Sequence, residues 1–330
     1  MSGPSLLLPP ELRERADGIL AAGRAEGGWL ITGPKQVGKG TFARAFAAAI
    51  LAGADRLGGE DDKTRHLVGE EGHPDLFILK RHLDEKTGKL PANIKVDDVR
   101  DVTARFRQTA ATGHRVVIVD TADDMNTAAA NALLKTLEEP PAGATLFLLS
   151  AAPGRLLPTI RSRCRRLDLT HFDDGTIREW LVSEIGFASE EAEGAAKAAR
   201  GRPGRAYELA TGAGRLAWDL ADNLISAATG RGDIVMAARA FAEKDAEDAR
   251  TDAQELILAR LSDAARHLAR GEETERAFAG MSSSHRLVEV HDELASLIAK
   301  SEGLNADRTQ TALAIAMTLG DALRGSHAGR

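Results

Sequence analysis

The sequence predicts an α/β protein in which a parallel sheet carries helices on both faces and is followed by an all-helical region. Three observations carry that prediction. Short apolar runs of strand length alternate with helical patterns through the first half of the chain. Beyond about residue 170 the runs stop, and Ala-, Glu- and Arg-rich segments with helical spacing continue to the end. Aromatic residues make up 4% of the chain and hydrophobic residues 43%, so the core must rest mainly on Ala, Leu, Val and Ile, a balance that favours helices.

The strand runs are Trp29–Thr32, Leu76–Leu79, Arg115–Asp120, Thr145–Ser150 and Cys164–Leu169. Between the third and fourth, the spacing predicts a helix over Thr127–Glu138. Ala130, Leu133, Leu134 and Leu137 form its apolar face, Asn126 or Thr127 its cap and Pro140–Pro141 its stop. Asn131 and Lys135 then share one face. Gly53–Gly72, with its Gly, Asp and Glu, reads as a solvated surface insertion. In the helical half, Gly201-Arg202-Pro203-Gly204 is an interruption, and the expected domains are 1–170 (sheet-containing), 171–210 (small, helical) and 211–330 (larger, helical).

A chain of 330 residues suits two or three domains. Its net charge of −6 argues against a stand-alone duplex-DNA binder, so any contact with nucleic acid is local or shared with partners. One cysteine excludes an internal disulfide framework and any zinc site needing two or more cysteines, and suits a reducing compartment, hence a cytoplasmic location. Met1–Pro10 lacks a basic region followed by a long apolar run, and no segment has the roughly 18 apolar residues needed to span a bilayer, so neither signal peptide nor membrane anchor is expected.

Gly33-Pro34-Lys35-Gln36-Val37-Gly38-Lys39-Gly40 follows the first strand and opens an Ala-rich helix, the context a phosphate-binding loop requires. Glycines let backbone amides turn toward an anion, the helix N-terminus adds partial positive charge, and Lys39 could reach outer phosphates. The Ser or Thr that usually follows the lysine and ligates magnesium is here Gly40. Thr41, one residue later, lies about 100° around the helix and does not simply replace it. Asp120, at the end of a buried strand, could orient magnesium through water, but the next position, where a hydrolase of this layout wants a Glu base, is Thr121. Asp123 and Asp124 read as solvated turn residues. Two independent defects in one machinery point to lost hydrolysis.

Several segments in order resemble one family. Trp29-Leu30-Ile31-Thr32-Gly33-Pro34-Lys35, His73-Pro74-Asp75, Asn131-Ala132-Leu133-Leu134-Lys135-Thr136-Leu137-Glu138-Glu139-Pro140-Pro141 and Pro158-Thr159-Ile160-Arg161-Ser162-Arg163-Cys164 are together similar to the bacterial clamp-loader subunits of DNA polymerase III. The defects at Gly40 and Thr121 resemble the delta-prime branch rather than the motor subunits gamma and tau. The resemblance implies an AAA+ nucleotide fold over 1–170, a helical lid over 171–210 and a collar over 211–330. It also implies a hetero-pentameric ring with gamma/tau and delta, which contacts the sliding clamp and primed DNA as an assembly. A subunit of this branch would be a non-hydrolysing stator. Arg163, flanked by Ser162 and Cys164, would be an arginine finger acting on ATP held by a neighbouring gamma or tau, because a guanidinium fork suits phosphate oxygens. Its own site (Gly33, Gly38, Lys39, Gly40, Thr41, Asp120) would be vestigial. No cofactor is required there, and passive ATP or ADP binding is left open.

Departures from the family pattern sharpen this reading. The four-cysteine zinc module often found before the His-Pro-Asp segment has no counterpart in Gly53–Gly72, so no zinc is carried over. Aligned on Gly201, the lid position of the nucleotide-sensing arginine is Gly204, with Arg205 one residue late. Ser150 takes the place of a polar first sensor or serves as a turn cap. Cys164 reads as a packed residue rather than a nucleophile. Two other classes stay open: a nucleoside monophosphate kinase, whose loop lysine is likewise followed by Gly-Thr as at Gly40-Thr41, and an active AAA+ motor. The first leaves Leu133–Pro141, Ser162–Cys164 and the helical tail unexplained; the second is disfavoured by Thr121.

Overall fold

The computed structural model describes residues 6–81, 91, 93–106, 113–243, 246–272, 274, 277–278, 281, 283–304 and 306–325. The chain forms two compact units, Met1–Ser189 with Arg200–Gly204, and Glu190–Ala199 with Arg205–Arg330.

The first unit is built on five parallel strands: β1 (Gly27–Thr32), β2 (Leu76–Leu79), β3 (Arg115–Val119), β4 (Ala144–Ser150) and β5 (Arg165–Asp168), in the order β2-β3-β4-β1-β5. Every residue of β3 and β4 is buried, which is why these runs are mostly apolar rather than alternating. The edge strand β5 buries only Leu167 and exposes Arg165, Arg166 and Asp168, charges that discourage pairing with another chain.

Helices flanking this sheet are α1 (Pro10–Ala21), α2 (Lys39–Ala52), α3 (Asp62–Gly69), α4 (Val96–Phe106), α5 (Thr127–Glu138) and the short α6 (Pro158–Arg161). Alternate strand residues feed two cores. Trp29, Ile31 and Phe147 pack with Phe42 and Phe46 of α2, whose rings lie 5.6 Å apart, with Phe147 5.3 Å from Phe46. Leu30, Val117, Leu146 and Leu148 pack with Leu133 and Leu137 of α5. That helix has the expected bounds, and Asn126 Oδ1 caps it by accepting from the Ala129 amide at 2.9 Å. Ala130, Leu133 and Leu137 are buried as expected, while Asn131 and Lys135 are exposed.

Two elements depart from the sequence reading. Gly53–Gly72 is not wholly solvated loop: Asp61 caps α3 through the Thr64 amide at 2.9 Å, and Leu57, Glu60 and Val68 are buried. Helix α1 also stands where no element was expected. Its Pro10 suits the first helical position, and Leu12, Ala16 and Leu20 bury at spacings of four.

The remaining elements are helical: α7 (Asp174–Trp180) with a π-helical turn at Leu181–Ile185 in the first unit, α8 (Ser189–Ala199), α9 (Pro203–Ala210), α10 (Gly212–Ala228), α11 (Ile234–Ala242), α12 (Glu247–Ala269), α13 (Ser284–Gly303) and α14 (Arg308–Gly325). The second unit packs on Leu224, Phe241, Ile257, Leu294 and Ile315, each buried. Buried Arg205 pairs with Asp252 at 3.0 Å there, and Arg260 with Asp222 at 3.1 Å. Among the described residues no helix is long and apolar enough to cross a membrane.

Candidate functional site

The phosphate loop leaves the C-terminal end of β1 and enters α2, the strand–turn–helix setting that turns amides toward an anion. Gly33 has φ +147 and an added Cβ would lie 2.4 Å from the Leu169 carbonyl oxygen, so the loop's first turn admits only glycine. Gly38, with φ 104, makes the final turn into the helix. Lys39 folds back on its own loop, its Nζ donating to the carbonyls of Gly33 at 2.8 Å and Pro34 at 2.7 Å. Burial pushes its ammonium below the ordinary lysine value; Asp123 and Asp120 oppose that shift and Lys35 adds to it.

Gly40 and Asp120 do come together. A Cβ at Gly40 would lie 3.5 Å from Asp120 Oδ2 and 3.0 Å from Arg44 Nη1. Arg44 Nη1 is itself 4.0 Å from Asp120 Oδ2, and its Nη2 is 3.0 Å from Glu71 Oε1. Thr41 is exposed. The Thr121 hydroxyl donates to the Leu149 carbonyl at 2.6 Å.

Asp123 is no solvated turn residue. The 3-10 turn Ala122–Asp124 folds its carboxylate against the end of β4, where it accepts from the Ser150 hydroxyl and the Ala151 amide, each at 2.6 Å. Ser150 is fully buried, its hydroxyl bound to that loop. Asp124 pairs with Arg81 at 2.8 Å. Gly204 donates its amide to the Gln36 carbonyl at 2.9 Å, and a Cβ at Gly204 would sit 2.9 Å from that same oxygen.

The Ser162-Arg163-Cys164 triplet lies at the other end of the sheet, in the turn from α6 into β5. Arg163 is solvent-facing: its Nη2 meets Glu138 Oε1 at 2.7 Å and its Nη1 donates to the Thr159 carbonyl at 3.0 Å. Ser162 is exposed. Cys164 packs beneath β1, and burial raises its thiol to about 12, so it is protonated at neutral pH. Arg165 staples the turn to the start of β1, donating to the Arg24 carbonyl at 2.8 Å and lying 3.8 Å over the Trp29 ring. Gly28 allows all this: a Cβ there would meet Leu137 Cδ2 at 2.7 Å, Cys164 Sγ at 3.2 Å and the Arg163 carbonyl oxygen at 3.3 Å.

Arg163 therefore abuts β1 at Gly28, whereas the phosphate loop begins at Gly33. Five strand residues at about 3.3 Å each separate them by roughly 16 Å, farther than an arginine side chain extends. Arg163 does not serve its own loop. Sequence reasoning missed Arg44, Glu71, Glu138 and Gly28 as site residues. Arg44 had a signal, standing four residues after Gly40 on one helix face, and Glu138 lay inside the Asn131–Pro141 block.

The family model described as "DNA polymerase III, delta subunit" matches residues 9–173, half of the chain. DNA polymerase III subunit delta' of Pseudomonas aeruginosa is 42% identical over 160 residues, 48% of this chain and 47% of that protein. The Escherichia coli subunit of that name is 39% identical over 141 residues, 42% of this chain and 40% of that one. DNA polymerase III subunit tau of Salmonella typhimurium is 31% identical over 166 residues, 49% of this chain and 24% of that protein. The matches thus span about half the chain and less than half of each relative.

Proposed function

Given that the chain belongs to the DNA polymerase III delta-subunit family, we propose that it is the delta-prime stator of a clamp loader, one that hydrolyses no ATP itself and lends Arg163 to the ATP site of a neighbouring gamma or tau subunit. The observation that carries this reading is the separation of Arg163 from the phosphate loop of its own chain. A charged guanidinium at the far end of the sheet, exposed and held by one carboxylate, supports action on a neighbour's phosphates rather than on its own. Charge supplied in this way to a transferring phosphoryl group is worth on the order of a thousandfold or more in rate.

The non-hydrolysing part is supported by four features of the chain's own loop. Gly40 offers no hydroxyl, Thr121 bonds the Leu149 carbonyl instead of presenting a base, and Lys39 bonds loop carbonyls. Gly204 stands where a sensing arginine would, with Arg205 tied to Asp252 in the second unit. On this reading residues 1–170 are the AAA+ nucleotide fold with a degenerate phosphate loop, 171–210 the lid and 211–330 the collar. The partners are gamma/tau and delta in a cytoplasmic hetero-pentameric ring acting on the sliding clamp and primed DNA.

The test is reconstitution with gamma or tau and delta. Arg163→Ala should leave assembly intact and lower DNA- and clamp-stimulated ATPase at least tenfold, with Arg163→Lys restoring little of it because the planar fork is lost. Unchanged loader ATPase in Arg163→Ala would remove the role from this residue. ATP hydrolysis, or phosphate transfer to a nucleoside monophosphate, by the purified chain alone would overturn the stator reading.

A further inference from the structure

Phosphate loops of this layout hold a nucleotide together with Mg²⁺, which is bound through a hydroxyl after the lysine and by water-linked carboxylates. The residues present do not fit that ion. Gly40 has no hydroxyl, and the space a side chain there would enter is taken by Arg44 Nη1, 3.0 Å from the ideal Cβ position. The cause is local. Helix side chains lean toward the N-terminus over the residue four positions earlier, so Arg44 leans over Gly40, and the missing side chain gives it room.

Two further residues hold the guanidinium there. Asp120, the carboxylate that would orient a metal's waters, faces Arg44 Nη1 at 4.0 Å. Glu71 accepts from Arg44 at 3.0 Å and from Lys80 at 2.7 Å; these two cations hold its carboxyl below the usual carboxylate range, Lys80 contributing most. Glu71 occupies the left-handed position of a helix-ending motif, with φ 57, and closes α3 through Glu71 N to Val68 O at 3.2 Å and Gly72 N to Leu67 O at 2.8 Å. Glycine is the usual occupant of that position. A glutamate there places a carboxylate on Arg44 that glycine could not.

We infer that Arg44 is a built-in substitute for the magnesium ion, and that the loop takes the polyphosphate of a nucleoside di- or triphosphate in its metal-free form, with Arg44 as its cation and Lys39 joining it on exchanging the Gly33 and Pro34 carbonyls for phosphate oxygens. A guanidinium stays charged at all accessible pH values and presents a fork matched to phosphate oxygens. The loop amides and the α2 N-terminus complete an anion site that needs no divalent ion. This inference rests on the loop alone and is independent of assembly into a loader.

The experiment is titration of the purified full chain with fluorescent N-methylanthraniloyl-ADP, in EDTA and in 5 mM Mg²⁺ by design. Expected are saturable binding in EDTA, a change of no more than about twofold on adding Mg²⁺, and at least tenfold weaker EDTA binding in Arg44→Ala. Circular dichroism checks the fold of that variant. Should Arg44→Ala fail to fold, Gly40→Thr, which displaces the guanidinium without removing it, should weaken EDTA binding. Absence of binding in EDTA, at least tenfold strengthening by Mg²⁺, or unaltered affinity in the folded variant tested would overturn the inference.

Discussion

Gly28→Ala tests whether the close approach of the Ser162–Cys164 turn to β1 is set by a missing methyl group. Gly28 has no left-handed φ, so in the folded state the substitution acts through space and not through backbone strain. Its Cβ would lie 2.7 Å from Leu137 Cδ2, well inside contact distance, and 3.2–3.3 Å from Cys164 Sγ and the Arg163 carbonyl oxygen, which must each give by a few tenths of an ångström. Leu137 is 5% exposed and wedged in the α5 core, so rotating its methyl away disturbs packed neighbours. Overpacking of this kind costs about 1–3 kcal/mol, and the lower unfolded-chain entropy of alanine returns about 0.4–1. The expected net loss is about 1–2 kcal/mol. Urea unfolding followed by tryptophan emission reads it directly, since Trp29 is buried beside the site. Leu137→Ala removes the clashing methyl, so in that background Gly28→Ala should cost under about 0.5 kcal/mol, a coupling of at least about 0.5 kcal/mol. Equal costs in both backgrounds would refute the steric account.

Three other outcomes follow from the same geometry. With its thiol raised to about 12 by burial, Cys164 should react with a disulfide reagent at pH 8 at least 100-fold more slowly in the native chain than in urea; comparable rates would contradict its packing. Burial holds the His73 imidazole below the ordinary histidine value of about 6.5, against the pull of Asp75 and Asp61. The unfolded chain therefore binds more protons there, and the stability this residue contributes, present above pH 6.5, is lost as pH falls through the depressed folded value. Melting curves between pH 8 and 5.5 should fall more steeply for wild type than for His73→Gln, and parallel slopes would count against it. Asn126→Ala removes the α5 cap and should cost about 1 kcal/mol in urea unfolding, while Asn126→Ser should recover most of it; a neutral Asn126→Ala would mean the cap bond contributes nothing.

The four strands β1 to β4 were legible because each is a compact, mostly apolar run, and the three inner ones are buried on both faces, while the charged edge strand β5 shows only Leu167 to the core. Helix α5 was legible down to its bounds because cap, periodicity and stop all lie within a dozen residues. Helix α3 was hidden because one buried valine in eight residues gives almost no periodicity. At the candidate site, the loop and triplet could be read because their residues are consecutive. Arg44 against Asp120 and Glu71, Arg163 against Glu138 and Asp123 against Ser150 could not, since each pair joins residues remote in sequence whose meeting depends on how the sheet is assembled.

The pairing of Arg163 with Glu138 has a consequence for how this surface looks to an approaching molecule. Pairing at 2.7 Å makes the two side chains nearly neutral from a distance, and the Debye length at physiological salt is about 8 Å. A diffusing polyanion is thus drawn little toward Arg163 until it is almost in contact. At contact the exchange is inexpensive, because an exposed ion pair is worth only about 0–1 kcal/mol. The arginine is hidden at long range and available at short range; under the proposed role this acts as a filter that favours phosphate delivered by shape-matched docking over phosphate that merely drifts past.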